Sequence, residues 1–226
     1  MLILFDLDDT LIETSKCLTP YSLKNAFCVM QQKGLNAPEF AFNSLLEINK
    51  KSLSSKIALK QFWKLYSNQL EILNSGFEAM SCPLSEEISL EVVPGALKTL
   101  GELKKLHDLA LVTIGDPYLQ FQKMKKAGIQ PSQFSKLIVS KGPSKKSDYQ
   151  QILNELGYHS RDAVVCGDRI PIDLTPGKEL GLFTVHFRNG RGLHHDAPKE
   201  SVDLTITTLT ELLEVFAKYE GESSIS

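Results

Sequence analysis

Six short runs of this chain are apolar at nearly every position: Leu2–Phe5, Leu109–Thr113, Leu137–Val139, Ala163–Cys166, Phe183–Val185 and, more weakly, Leu204–Ile206. A strand with one wet face alternates apolar and polar residues, so a run apolar throughout must be covered on both faces. Helical patterns separate most of the runs. Leu97, Leu100, Leu103 and Leu106 follow Pro94-Gly95, and Ser147 reads as an N-cap for a helix carrying Ile152, Leu153 and Leu156 that Gly157 ends. Leu209, Leu212, Leu213 and Phe216 form a closing amphipathic helix. Strands alternating with helices specify an α/β protein: a Rossmann-like parallel sheet core with helices on both faces.

One segment breaks the alternation. From Thr14 to Glu91 the pattern is helical, with Leu23, Ala26, Phe27 and Met30 in Tyr21–Lys33, and Ala58, Phe62, Leu65, Tyr66 and Leu73 in Ile57–Leu73. About 75 residues between the first two strands is far more than a crossover helix needs. The expected organisation is a core of residues 1–13 and 92–219, an inserted all-helical cap of residues 14–91, and a polar flexible tail at 220–226. Phe62, Trp63 and Tyr66 are expected to fill the core of the insert.

Composition narrows the function. Among 226 residues, 25 Lys and Arg face 27 Asp and Glu. This near balance disfavours a nucleic-acid binder that works by blanketing phosphates. The four cysteines, Cys17, Cys28, Cys82 and Cys166, form no C-x-x-C pair, against both a disulfide framework and a cysteine zinc site. Met1–Phe5 carries no basic leader, and no apolar run approaches the ~18 residues of a membrane span. A cytoplasmic protein without a membrane partner is the expectation.

The reactive residues fall at strand ends. Asp6, Asp8 and Asp9 follow the first run directly, and in an open parallel sheet ligands bind beyond the carboxyl ends of strands. Three acids in four residues repel one another; a divalent cation such as Mg²⁺ relieves that repulsion, although a solvated loop is the alternative. Thr113 closes the second run and can offer a hydroxyl to an anion. Lys145 and Lys146 precede a helix, where a cation suits a phosphate, or simply a solvated surface. Gly167-Asp168 ends the fourth run, with Asp173 five residues on. His194, His195 and Asp196 could suggest a metal, but adjacent histidines diverge and no third ligand stands at useful spacing. Arg188 and Arg191 read as a solvated loop.

Taken together, Phe5–Leu11 (FDLDDTL), Thr113, Lys145 or Lys146, and Gly167-Asp168 with Asp173 are similar to the four ordered motifs of the haloacid dehalogenase superfamily, in its phosphatase branch. The resemblance covers the whole chain, and its first and fourth motifs are the specific ones. It implies Asp6 as a nucleophile forming an aspartyl-phosphate and Asp8 as the group that protonates the leaving oxygen and then activates water. It also implies Mg²⁺ on Asp6, the Asp8 main-chain carbonyl and Asp168, with Asp173 supporting the metal or the lysine, and Thr113 and the lysine on the phosphoryl group. Lys145 is the preferred of the two lysines, because it lies two residues before the expected Ser147 cap, as the family lysine does. The second acid at Asp8 argues for phosphate esters, because an alkoxide needs a proton to leave. The insert after the first motif resembles the family's C1 cap, and the 31 residues 114–144 are too few for the later cap. The chain departs from the family pattern at Ile114, at Glu13 and in Lys145–Asp148. The implied function is Mg²⁺-dependent hydrolysis of a small phosphorylated metabolite. A sugar phosphomutase or a non-hydrolytic phospho-accepting regulator on the same scaffold is the alternative.

Overall fold

The structure is a computed structural model that describes residues 1–194 and 199–223. His195 and Asp196 lie outside the described residues. The chain divides into two compact units, Met1–Glu13 with Leu90–Ser226, and Thr14–Ser89.

The first unit carries a six-stranded, all-parallel sheet: β1 (Leu2–Phe5), β2 (Asp108–Ile114), β3 (Lys136–Ser140), β4 (Ala163–Gly167), β5 (Phe183–Phe187) and β6 (Leu204–Ile206). Their order across the sheet is β3-β2-β1-β4-β5-β6. The chain therefore builds outward in one direction through β3 and restarts on the other side of β1 with β4. The order reverses between β1 and β4, and in open parallel sheets ligands bind beyond the carboxyl ends of the strands at that point.

All four residues of β1 are at most 1% exposed, which is what their wholly apolar sequence requires. Leu2 and Leu4, with Ala110, Val112 and Val165, pack against Tyr149, Ile152 and Leu153 of the helix Lys146–Leu156. Ile3 and Phe5 on the opposite face are buried as well.

The second unit holds α1 (Thr14–Cys17), α2 (Thr19–Gln32), α3 (Ala41–Lys51), α4 (Ser55–Tyr66) and α5 (Leu70–Met80). The remaining helices belong to the first unit: α6 (Ala96–Leu103), α7 (Pro117–Lys126), α8 (Lys146–Leu156), α9 (Thr175–Glu179) and α10 (Glu211–Ser223). The helical unit has its own core, in which the Phe27 and Phe62 rings lie 5.8 Å apart and Trp63 is buried. Tyr66 packs against it half-buried.

Several local expectations are revised. The periodic stretch Ile57–Leu73 is two helices, broken where the Trp63 indole N–H donates to the Gln69 carbonyl at 3.1 Å. Leu65 is 65% exposed rather than core-facing. Leu100 and Leu103 are buried while Leu97 faces water, because a spacing of three drifts around a helix of 3.6 residues per turn, and Leu106 is exposed past the end of α6. The return to the sheet unit comes early: Glu13 N–H donates to Glu91 O at 2.9 Å and Val93 N–H to Leu11 O at 3.0 Å. α10 runs to Ser223, past the residue 220 at which the sequence suggests a tail. Among the described residues no helix is long and apolar enough to cross a membrane.

Candidate active site

β1 stops at Phe5, but its ladder continues one step: Asp6 N–H donates to the Cys166 carbonyl at 3.1 Å, which sets Asp6 beside the end of β4. The chain then folds back on itself. Asp9 takes a left-handed conformation (φ 61°), which an aspartate tolerates better than most residues, and its N–H donates to Ile12 O at 2.7 Å.

Asp6, Lys145, Asp168 and Asp173 are all at most 1% exposed. Lys145 Nζ donates to Asp6 Oδ1 at 2.5 Å and to Asp173 Oδ1 at 2.6 Å. Asp173 stands in a single π-helical turn, Ile170–Leu174, and its Oδ2 accepts the Arg169 N–H at 2.9 Å. Tyr149 O–H donates to the Asp173 carbonyl at 3.1 Å. Gly167 makes this approach possible, since a Cβ there would lie 2.5 Å from Asp173 Cβ.

One carboxylate oxygen from each of Asp6, Asp168 and Asp173 falls within a 4.8 Å group. Asp6 Oδ2 and both Asp168 carboxylate oxygens are buried without a hydrogen-bond donor. Arg169 Nε approaches Asp168 Oδ1 only to 3.7 Å. A buried carboxylate without a donor is costly, and the protein registers that cost as proton affinity. Burial lifts the Asp6 carboxyl from 3.8 to about 6, with Lys145 opposing and Asp173 adding repulsion. Burial likewise holds Asp168 well above 3.8, opposed by Arg169 and reinforced by Asp173, Asp9 and Asp6. Hard oxygens facing one small volume suit a hard divalent cation of the Mg²⁺ kind, so the donor set fits the metal that the motifs imply.

The structure sorts the candidate residues. Thr113 is buried on β2, two residues past the Leu111 that pairs with Phe5, at the same edge. Of the two lysines, Lys145 reaches Asp6. Lys146 instead pairs with Glu179 at 2.8 Å on an exposed surface, which removes it from the phosphate-binding set. The N-cap is corrected too: Lys145 holds the cap position of α8, so Ser147 lies inside the first turn. The buried ion pairs of Lys145 anchor the chain two residues earlier than the serine suggests. The Asp8 carboxylate stands outside the three-carboxylate group. It accepts from Lys123 Nζ at 2.8 and 3.0 Å and from Gln120 Nε2 at 3.0 Å.

Other residues at this edge escape a motif reading. His186 on β5 donates its Nε2–H to the Asp168 carbonyl at 3.1 Å, and Asn189 donates to the Asp9 carbonyl at 3.1 Å. Gly190, at φ 50°, brings the loop so close that a Cβ would lie 2.2 Å from Asp9 Cγ. Arg191 is half-buried rather than solvated: burial pulls its guanidinium down, Arg169 adds repulsion, and Asp9, Asp168 and Asp8 pull against both. The legible signal for Gln120 and Lys123 was their spacing of three on the first helix after Thr113. α7 buries only Gln120 and Met124, so its inward face sets one amide beside one apolar side chain.

A sequence model of the haloacid dehalogenase-like hydrolases matches residues 1–181. A glyceraldehyde 3-phosphate phosphatase of Pyrococcus furiosus is 32% identical over 97% of this chain and 94% of its own. A protein of the same name from Methanocaldococcus jannaschii is 31% identical over 94% and 95%. A predicted phosphoglycolate phosphatase from Haemophilus somnus shares the fold, with a TM-score of 0.75 at 18% identity over 95% of this chain and 97% of that one.

Proposed function

This chain belongs to the haloacid dehalogenase-like hydrolases, in their phosphatase branch, and on that basis we propose that it cleaves a small phosphomonoester through an aspartyl-phosphate on Asp6. One observation carries the reading. A buried carboxylate, paired through one oxygen with Lys145 and carrying no donor on the other, stands where the strand order reverses.

The roles follow from the chemistry of each group. The Thr113 hydroxyl and the Lys145 ammonium hold the phosphoryl oxygens. An Asp6 oxygen attacks phosphorus, the bond from phosphorus to the ester oxygen breaks, and Asp8 gives its proton to that oxygen as the alcohol departs. Asp8, now a carboxylate, takes a proton from water as the water oxygen bonds to phosphorus. The bond to Asp6 then breaks and inorganic phosphate leaves, restoring both aspartates. Asp6, Asp168 and the Asp8 main-chain carbonyl, with Asp173 in support, would hold a Mg²⁺ ion, which would supply neutralisation of the phosphoryl charge. Burial of Asp6 and Lys145 removes competing water from the nucleophile, which strengthens every charge interaction there.

The substrate is a small phosphorylated metabolite of the cytoplasm. The two relatives that match nearly the whole chain make glyceraldehyde 3-phosphate the first compound to assay. The helical unit, inserted after the first motif, takes the part of the family's cap.

Purified protein with Mg²⁺ is expected to release inorganic phosphate from members of a phosphate-ester panel. Asp6→Asn should lower turnover by roughly 10³-fold or more, as loss of a nucleophile does elsewhere. Isomerisation of a sugar phosphate without phosphate release would point instead to a mutase. Wild-type protein inert across the panel would sink the proposal.

A further inference from the structure

Asp8 stands past the end of β1, just before the left-handed Asp9, where its backbone makes a single isolated bridge to Ile12. An acid–base group works only if its carboxylate is held within a fraction of an ångström of the proton path. That bridge fixes the Asp8 backbone but not the torsions that aim its carboxylate.

Two side chains of α7 do. Asp116 caps this helix by accepting the Leu119 N–H at 3.1 Å. One turn on, Gln120 and Lys123 project from the same face, three residues apart. Lys123 Nζ reaches both Asp8 oxygens, at 2.8 and 3.0 Å, with Lys123 only 12% and Asp8 20% exposed. Gln120 is 2% exposed, and its amide Nε2 donates to Asp8 Oδ2 at 3.0 Å, to Thr113 Oγ1 and to the Ile114 carbonyl at 3.4 Å. Because the amide N–H is the donor to Thr113, that hydroxyl accepts from Gln120 and its own hydrogen stays available for a phosphoryl oxygen.

We propose that Gln120 and Lys123 are positioning residues for the reaction. Together they hold the Asp8 carboxylate in the orientation from which it serves the ester oxygen and the attacking water, and Gln120 turns the Thr113 hydroxyl hydrogen toward the phosphoryl group. This rests on the assignment of Asp8 as the acid–base group made above. A helix that merely needed anchoring to the sheet edge could bury apolar residues there. Instead α7 commits an amide and an ammonium to one carboxylate and one hydroxyl, both at the reacting edge.

The test uses the Mg²⁺-loaded enzyme and two phosphate esters, an alkyl ester whose alkoxide needs a proton to leave and 4-nitrophenyl phosphate, whose phenolate leaves without one. With Lys123→Met or Gln120→Leu, kcat on the alkyl ester should fall about 10- to 100-fold, toward the contribution of a lost acid–base group, with KM changed less than about 3-fold. On the nitrophenyl ester, rapid mixing should reveal a burst of roughly one nitrophenolate per enzyme before a slow steady rate, because only water attack still depends on Asp8. Lys123→Arg should recover part of the loss, which also guards against a Met variant that fails to fold. Equal slowing of both esters without a burst, or wild-type rates in all variants, would overturn the positioning role while leaving the phosphatase intact. A wild-type enzyme inert on both esters would instead overturn the phosphatase reading, and this inference with it.

Discussion

Lys145→Met tests the electrostatic arrangement at the centre of the site. The ammonium it removes is fully buried between Asp6 and Asp173, at 2.5 and 2.6 Å, and methionine approximates its stem in volume. Burial alone would pull the Lys145 pKa down, but Asp173 and Asp6 outweigh it and leave it raised above 10.5. Its stabilising share is therefore fully present at neutral pH and is lost only as pH climbs through the raised value. Removing one partner of a buried pair strands the other charge, at a cost of about 3–5 kcal/mol. For a domain of this size that is a melting-temperature drop of roughly 6–20 °C. The variant can escape part of the cost by protonating a carboxylate, since Asp6 already binds its proton up to about pH 6 with Lys145 present. Without the lysine, that value rises further. A carboxyl whose folded pKa lies above its unfolded one contributes stability at low pH and loses it as pH rises. The deficit of Lys145→Met relative to wild type should accordingly be largest near pH 7.5 and shrink toward pH 5. Adding Asp173→Asn should recover part of it, because one of the stranded charges is gone. Thermal unfolding in EDTA, followed by calorimetry at both pH values, measures all three quantities. A single variant melting within about 2 °C of wild type at pH 7.5, or a deficit that grows on acidification, would refute the reasoning.

Three further outcomes follow from the geometry. Mg²⁺ should raise the melting temperature at pH 7.5 and do so much less at pH 5.5. The protons held by Asp6 (about 6) and by Asp168 must leave before a cation binds, and calorimetry in buffers of different ionisation enthalpy will count them. Gly167→Ala should cost about 1–3 kcal/mol, because its Cβ would lie 2.5 Å from Asp173 Cβ, and should lower turnover by displacing Asp173 from Lys145; denaturant unfolding and steady-state rates check the two effects. Phe62→Ala should cost about 3–5 kcal/mol within the helical unit, read as hydrogen exchange that accelerates across residues 14–89 and stays slow in β1 and β4.

The sheet was legible because burial on both faces leaves its mark residue by residue. Leu2–Phe5 and Ala163–Cys166 fit interior strands better than surface ones, and the helical insert announces itself by the absence of such runs. The carboxylates of Asp6 and Asp168 were legible too, since a residue just past a strand end inherits the strand's position. Local pattern could only lean toward Lys145 over Lys146, from its distance to a serine that lies inside the helix rather than at its cap, because the buried ion pairs that set Lys145 are nonlocal. It could not end α4 at Tyr66, where the Trp63 indole, six residues from the Gln69 carbonyl it donates to, interrupts a periodic stripe. Nor could it join Asp8 to Gln120 and Lys123, which stand 112 and 115 residues away along the chain. Periodicity records which face of an element is buried. Which elements then meet is decided by strand order, and here the placement of β2 and β4 on either side of β1 comes from nonlocal pairing and packing that no window of sequence contains.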